Sequence, residues 1–254
     1  MYKLKPNSNL EYAGVAMDAD HCLTGKTNTM AEPLDVIVNG SLILIIGSSG
    51  SGKTSLLMNL IAGRQKAKNG KKQSFYKCFD KVIVCSPSMH TLTNNKAFSD
   101  LPENQVYNDF GETMDDLGAH LDESKSRDDR TFNLLILDDC AAALRSNRTY
   151  ETYLTATLQN RRHQNLTTII IVQSYRQLPT QIRNNANVIF IFKPKTMQEM
   201  EAITTELLPI PKKDILGLFG FIFDDGRYNH LMIDQTLTHS NKYRLFKNFQ
   251  EIIL

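Results

Sequence analysis

The sequence has no Cys-x-x-Cys pair, no charged-then-apolar leader in its first thirty residues, and no internal repeat or low-complexity region. Its longest uninterrupted aliphatic stretch, 42–46, falls far short of the roughly 20 residues that span a bilayer. The four cysteines (Cys22, Cys78, Cys85, Cys140) follow no regular spacing, which speaks against a disulfide framework. Cys85 and Cys140 lie in or beside apolar runs, where a free thiol serves as a small core residue. These absences point to a soluble, intracellular protein with no membrane attachment. Net charge is also small: 29 basic residues against 27 acidic ones give +2. Bulk charge therefore calls for no polyanionic partner.

The distribution of charge is uneven. Between Arg64 and Lys81 there are seven Lys or Arg, opposed only by Asp80. Between Leu101 and Arg130 there are nine acids against three basic residues. The basic stretch, densest over 64–72, suits nucleic acid or a solvated loop equally well.

At 254 residues and 41% hydrophobic, the chain can bury one substantial core. Apolar runs recur at 42–46, 82–85, 134–137, 168–172 and 188–192. Several are apolar at consecutive positions, as expected of strands covered on both faces in a parallel sheet. Helical patterns fall between and after them, at 54–66, 113–123, 150–162 and 196–207. Strand and helix in alternation predict an α/β fold, a mostly parallel sheet with helices on both faces. A short strand at 34–38 is expected to turn through Asn39-Gly40 into the first run. Residues 221–223 and 231–233 flank Asp224-Asp225-Gly226 as a second hairpin, and 243–253 reads as a small amphipathic helix. The chain divides accordingly into an N-terminal extension (1–33), a nucleotide-binding core (34–207) and a C-terminal hairpin and helix (208–254).

The segment Gly47-Ser48-Ser49-Gly50-Ser51-Gly52-Lys53-Thr54 meets the pattern G-x-x-x-x-G-K-[ST] in full, between a strand and a helix. Its glycines let backbone N–H groups turn toward phosphate oxygens, and the following helix aims its positive end at the same place. Lys53 is the candidate for the β- and γ-phosphates of ATP. The Thr54 hydroxyl is the candidate ligand for Mg²⁺. A metal also needs a carboxylate on a neighbouring strand, and Asp138-Asp139 closes an aliphatic run about 85 residues downstream. Asp138 would hold the metal, and Asp139 would polarise the attacking water. Gln173 ends the run 168–172, where it either senses the γ-phosphate or opens an ordinary loop. Arg162 precedes that run, either as a finger toward a neighbouring subunit or as a charge suiting a helix end. Arg161 beside it is expected to be dispensable.

Together these motifs resemble the FtsK–HerA superfamily, and within it the poxvirus-type packaging ATPases of large DNA viruses and virophages. The resemblance rests on Gly47–Thr54, Val82-Ile83-Val84-Cys85-Ser86-Pro87-Ser88, the acid pair Asp138-Asp139, and Arg162-His163-Gln164-Asn165 before a strand ending in Gln173. It implies a RecA-like P-loop core and ATP hydrolysis with Mg²⁺. It also implies a homo-oligomeric ring, hexamer or pentamer, that pumps double-stranded DNA. By the resemblance Asp139 is the base, although cellular members usually carry Glu there; Arg162 is the finger and Gln173 the sensor. Capsid vertex or portal proteins become candidate partners. The locations implied are the host cytoplasm, the virus factory or the virion.

Other classes lack their marks. No L-S-G-G-Q occurs, and Asn95-Lys96 continues as Ala97-Phe98 rather than x-Asp, against an ABC subunit and a GTPase. Two alternatives stay open. One is a small-molecule kinase using 145–148 as an arginine lid. The other is a nucleotide-gated assembly or binding protein.

Overall fold

The computed structural model describes residues 3–5, 33–62, 64–66, 72–75, 79–92, 96–126, 131–208, 210–236 and 244–253. Cys22, Cys78, the centre of the basic run (67–71) and most of 1–33 lie outside the described residues.

Twelve strands are described: β1 (Lys3–Lys5), β2 (Leu42–Ile46), β3 (Arg64–Lys66), β4 (Lys72–Ser74), β5 (Lys81–Cys85), β6 (Val106–Tyr107), β7 (Asn133–Asp138), β8 (Leu166–Val172), β9 (Val188–Phe192), β10 (His230–Asp234), β11 (Arg244–Lys247) and β12 (Gln250–Ile253). The helices are α1 (Lys53–Ala62), α2 (Met89–Leu92), α3 (Lys96–Ser99), α4 (Phe110–Ser126), α5 (Ala141–Ser146), α6 (Arg148–Asn160), α7 (Thr180–Arg183), α8 (Met197–Leu207) and α9 (Lys212–Phe223). Ten strands form one sheet in the order β1-β12-β11-β10-β9-β2-β8-β7-β5-β6. From β9 to β6 all neighbours are parallel; β10, β11, β12 and β1 continue it antiparallel.

The consecutive apolar residues of the parallel strands divide between two cores, as burial on both faces requires. Leu42, Leu44 and Ile46 of β2 face α4, α5, α6, α8 and α9, while Ile43 and Ile45 face α1, α2 and α3. Local signals set the helix starts. The Asn147 side chain accepts from Thr149 and Tyr150 N–H, and that of Thr196 accepts from Glu199 N–H. Each satisfies backbone donors that a first helical turn leaves unpaired.

Several expected elements take another form. Residues 34–36 make a buried 3₁₀ turn rather than a strand; the Asn39-Gly40 turn itself is present, closed by Ser41 N–H to Val38 O. The first helix stops at Ala62, and 64–66 pairs with 72–74 as a separate two-stranded ribbon. The C-terminal hairpin and helix are both present, with their places exchanged. Phe221 to Phe223 end helix α9, and 244–253 forms the hairpin β11–β12. Asn248 and Phe249 carry that turn at φ 48° and 67°, the left-handed pair that suits the twist of a tight hairpin.

Candidate active site

Parallel strands end together, so their C-terminal ends place the ends of β2, β5, β7, β8 and β9 along one edge of the sheet. The glycine-rich turn leaves β2 there and enters α1. Gly52 sits at φ 104°, which side chains with a Cβ rarely adopt. At Gly47 the constraint is space: a Cβ would fall 2.6 Å from Ser51 Oγ and 2.7 Å from Phe192 Cβ. Lys53 Nζ donates to Ser48 O at 3.0 Å, closing the turn on itself. Ser51 Oγ is buried without a hydrogen-bond partner. A glycine-lined turn with an uncommitted hydroxyl at a helix N-terminus fits a polyphosphate.

The acids arrive on β7, one strand beyond β8. Asp138 is half-buried and accepts from Ser86 Oγ at 3.1 Å. Burial pushes its carboxyl up; the Ser86 bond and the Lys53 charge oppose this, and Asp139 adds to it. Burial likewise pushes the Lys53 ammonium down, against the pull of Asp138 and Asp139, with Lys195 adding to the fall. Asp139 is exposed at φ 55°, with its backbone N–H bonded to Ile171 O. This unusual backbone turns its carboxylate toward β8, where Gln173 Nε2 donates to Asp139 Oδ2 at 2.9 Å. The strand order thus puts Gln173 between the phosphate turn and the acid pair.

Among the described residues no group of three or more His, Cys, Asp or Glu encloses a metal. Asp138 and the Thr54 hydroxyl at the start of α1 are a partial oxygen set, which suits a magnesium ion completed by phosphate oxygens and water.

Arg162 stands apart from this edge. It precedes β8, whose seven residues span on the order of 20 Å. The Gly40 turn before β2 lies against its backbone, with 3.0 Å between an added Cβ and Arg162 Cα. Arg162 is exposed at the opposite edge, out of reach of its own phosphate turn. Arg161, expected to be dispensable, is instead buried. Its guanidinium donates to Leu158 O, Asn185 O and Asn187 Oδ1 at 2.6–2.9 Å. Residues 145–148 join two helices rather than forming a lid: Arg145 donates to Arg176 O and Gln177 O, and Asn147 caps α6.

Sequence reasoning missed Ser86 as an Asp138 partner, although it follows a buried strand. It also assigned nothing to Phe192, Lys195, Arg227 or Tyr228, which border the phosphate turn.

A glycine-rich turn after β2, acids after β7 and a glutamine after the strand between them define a P-loop nucleoside triphosphatase. The family model described as Poxvirus A32 protein matches residues 38–245. The chain belongs to that poxvirus A32 family. No curated protein sequence matches it. Among solved structures it is similar to B204, the DNA-packaging ATPase from Sulfolobus Turreted Icosahedral Virus. That match has 15% identity and a TM-score of 0.54, over 81% of this chain and 96% of that one. B204 from Sulfolobus turreted icosahedral virus 2, in complex with ATP-gammaS, gives 17% and 0.52 over 82% and 97%. EssC (ATPases 2 and 3) from Geobacillus thermodenitrificans gives 11% and 0.58, over 99% of this chain and 48% of that one. At these identities the likeness is one of fold.

Among the described residues no helix is long and apolar enough to cross a membrane.

Proposed function

We propose that this ATPase drives double-stranded DNA through a homo-oligomeric ring, as the genome-packaging motor of a large DNA virus. The observation that carries the catalytic part is the Gln173–Asp139 hydrogen bond beside the phosphate turn. It joins a candidate base to a side-chain amide able to report whether a γ-phosphate is present. Lys53 and the N–H groups of 47–54 bind the triphosphate, and Thr54 and Asp138 would hold Mg²⁺. The metal, when bound, neutralises charge on the β- and γ-oxygens. Asp139 accepts the proton of the attacking water, and Gln173 orients that water. Arg162, at the opposite edge, completes the site of the adjacent subunit. B204, named a DNA-packaging ATPase, supports the packaging reading through its shared fold.

The test is phosphate release by assembled protein, with and without duplex DNA, across a salt series. A motor gripping phosphates speeds up with duplex of any sequence, and its DNA affinity falls steeply with salt. A rate indifferent to duplex at low salt would reject the motor in favour of a nucleotide-gated assembly protein. Transfer of phosphate to a small molecule instead of water would identify a kinase.

A further inference from the structure

A phosphate turn binds only part of a nucleotide; the base and sugar must lie in space beside it. Two cavities adjoin the turn. One, of about 700 Å³, runs past Ser48–Ser51 and is bordered by the cations Lys193, Lys195 and Arg227 and by Asp224 and Asp225. The other, of about 460 Å³, lies over the first turns of α1 at Gly52, Ser55 and Asn59. Its far wall is aromatic: Phe192, Tyr228, His230 and Phe249. The cavities differ in chemistry as the two ends of a nucleotide do, one charged and polar, one aromatic and apolar.

The turn between α9 and β10 serves both. Arg227 faces the charged cavity, with its guanidinium 3.9 Å from the position of a Cβ on Gly50. Tyr228 faces the aromatic one, with Cδ1 3.3 Å from the position of a Cβ on Gly52. The turn is held in place before any ligand arrives. Lys247, itself buried, donates to Asp225 Oδ2 at 2.6 Å and to Phe221 O at 2.7 Å. Lys193 pairs with Asp224 at 3.0 Å. Asn248 bonds both Asn229 Oδ1 and the His230 N–H. Those carboxylates are therefore committed, while Arg227 pairs with no carboxylate among the described residues; its guanidinium lies 5.4 Å from the centre of the Tyr228 ring, so base and phosphate would meet adjoining groups. In the aromatic pocket His230 is 7% exposed, and its Nε2 has no partner. Asn59 stands exposed on α1, one turn after Ser55, with an amide that both donates and accepts.

We infer that the turn from Asp224 to Asn229 completes the nucleotide site, Tyr228 and Phe192 enclosing a purine base with Asn59 at its edge, and Arg227 meeting the polyphosphate. This rests on the phosphate-turn reading above and adds to it a base specificity carried by the C-terminal part of the chain. A purine is favoured over a pyrimidine because stacking strengthens with ring area, and Tyr228 is the exposed ring of this wall, backed by Phe192.

The experiment is calorimetric titration of full-length protein with the magnesium complexes of ATP, GTP, CTP, UTP and inorganic tripolyphosphate. Wild type should bind ATP or GTP at least about tenfold more tightly than CTP and UTP. Tyr228→Ala should lose about tenfold for that purine, the scale of one aromatic stack on a base, and nothing for tripolyphosphate. Tyr228→Phe, which keeps the ring, should bind as wild type does. Arg227→Ala should weaken tripolyphosphate and ATP alike. Tyr228 is 60% exposed, so its replacement leaves the core intact, and an unchanged melting temperature of the free protein confirms this. Lys53→Ala separates the two readings. If it abolishes ATP and tripolyphosphate binding while Tyr228→Ala leaves ATP affinity untouched, the clamp is wrong and the phosphate turn stands. If Lys53→Ala changes neither, the phosphate-turn reading itself fails. Equal affinity for all four nucleotides overturns the base pocket.

Discussion

The two edges of the parallel sheet are built for different ends. At the nucleotide edge the polar groups are only partly engaged. Lys53 is turned back on its own loop, Ser51 Oγ is unpartnered, and Asp139 and Gln173 are exposed and hold each other. At the opposite edge most polar groups bind one another, while Asn39 Oδ1, Arg161 Nε and Gln164 Oε1 are buried without a partner. Asn39 bonds Asn165, Gly40 N–H bonds Thr167, and Asn187 accepts from both Leu42 N–H and Arg161. The edges differ in exposure: Asp139 and Gln173 lie open to solvent beside the phosphate turn, whereas the bonds at the opposite edge pin strands in register. Arg162 is an exposed cation on the pinned edge, in the turn that follows α6.

The comparison breaks most visibly at the nucleotide edge. Lys53→Ala should weaken ATP binding by on the order of 100-fold or more, because the charge-assisted bonds to the phosphates go with it. Asp139→Asn should bind ATP within about twofold of wild type and lose about 10³-fold in turnover, since only the proton acceptor is removed. Paired binding and single-turnover measurements check both. Equal loss of binding in the two variants would make Asp139 a metal ligand rather than a base.

At the pinned edge, Arg162→Ala tests whether the exposed arginine belongs to the neighbour. A finger stabilises charge that develops in transit, so turnover should fall about 10³-fold, near 4 kcal/mol of barrier, with ATP affinity kept. Mixing Arg162→Ala with Lys53→Ala subunits, each inactive alone, should restore part of the activity in verified mixed rings. No restoration would leave Arg162 a helix-end charge.

Arg161→Ala should do the reverse, costing stability rather than turnover. It orphans Leu158 O and Asn185 O around a buried site, for about 3 kcal/mol of unfolding free energy in a urea titration. Activity per folded molecule should survive. Adjacent arginines are alike in a sequence, and their opposite fates show what patterning leaves out. The turn after Asn160 buries one and exposes the next, which no local propensity records. Runs buried on both faces were legible, because β2, β5, β7, β8 and β9 have apolar residues on every pleat. The phosphate turn was legible because its glycines answer to geometry found within eight residues. The tail was not: Leu245, Phe246, Phe249 and Ile252 fall at helical spacing. The pair at positive φ, Asn248 and Phe249, instead folds them back as two strands with their apolar residues buried. Phe221 to Phe223 misread as a strand for the converse reason, being three apolar residues that close a helix. The wall over the base pocket was illegible too, since Tyr228 and Phe192 meet only through strand pairing at Phe192 and His230.

The smallest effect compares a buried ionisable group on each edge. Arg161 keeps its charge on three acceptors; His230 has none for Nε2 and packs against the Phe190, Phe192 and Phe249 rings. Burial pushes the His230 imidazole down to about 4, opposed only by its bond to the Tyr228 backbone. The sign follows from the lowered value. Above the unfolded value of about 6.5 both states are neutral, and stability is full. As pH falls from there toward 4, the unfolded chain takes up a proton that the native protein refuses, so stability drops. At pH 5.5 the loss should be about 1.4 kcal/mol relative to pH 7.5. The neighbouring Asp225 carboxyl, held low by Lys247, stays charged across this window and adds nothing. Denaturant unfolding of wild type and His230→Phe at the two pH values isolates the term. The phenylalanine variant keeps the aromatic contacts and should lose about 1.4 kcal/mol less on acidification. Equal losses in the two proteins would mean that His230 titrates normally and that this wall of the pocket is open to water.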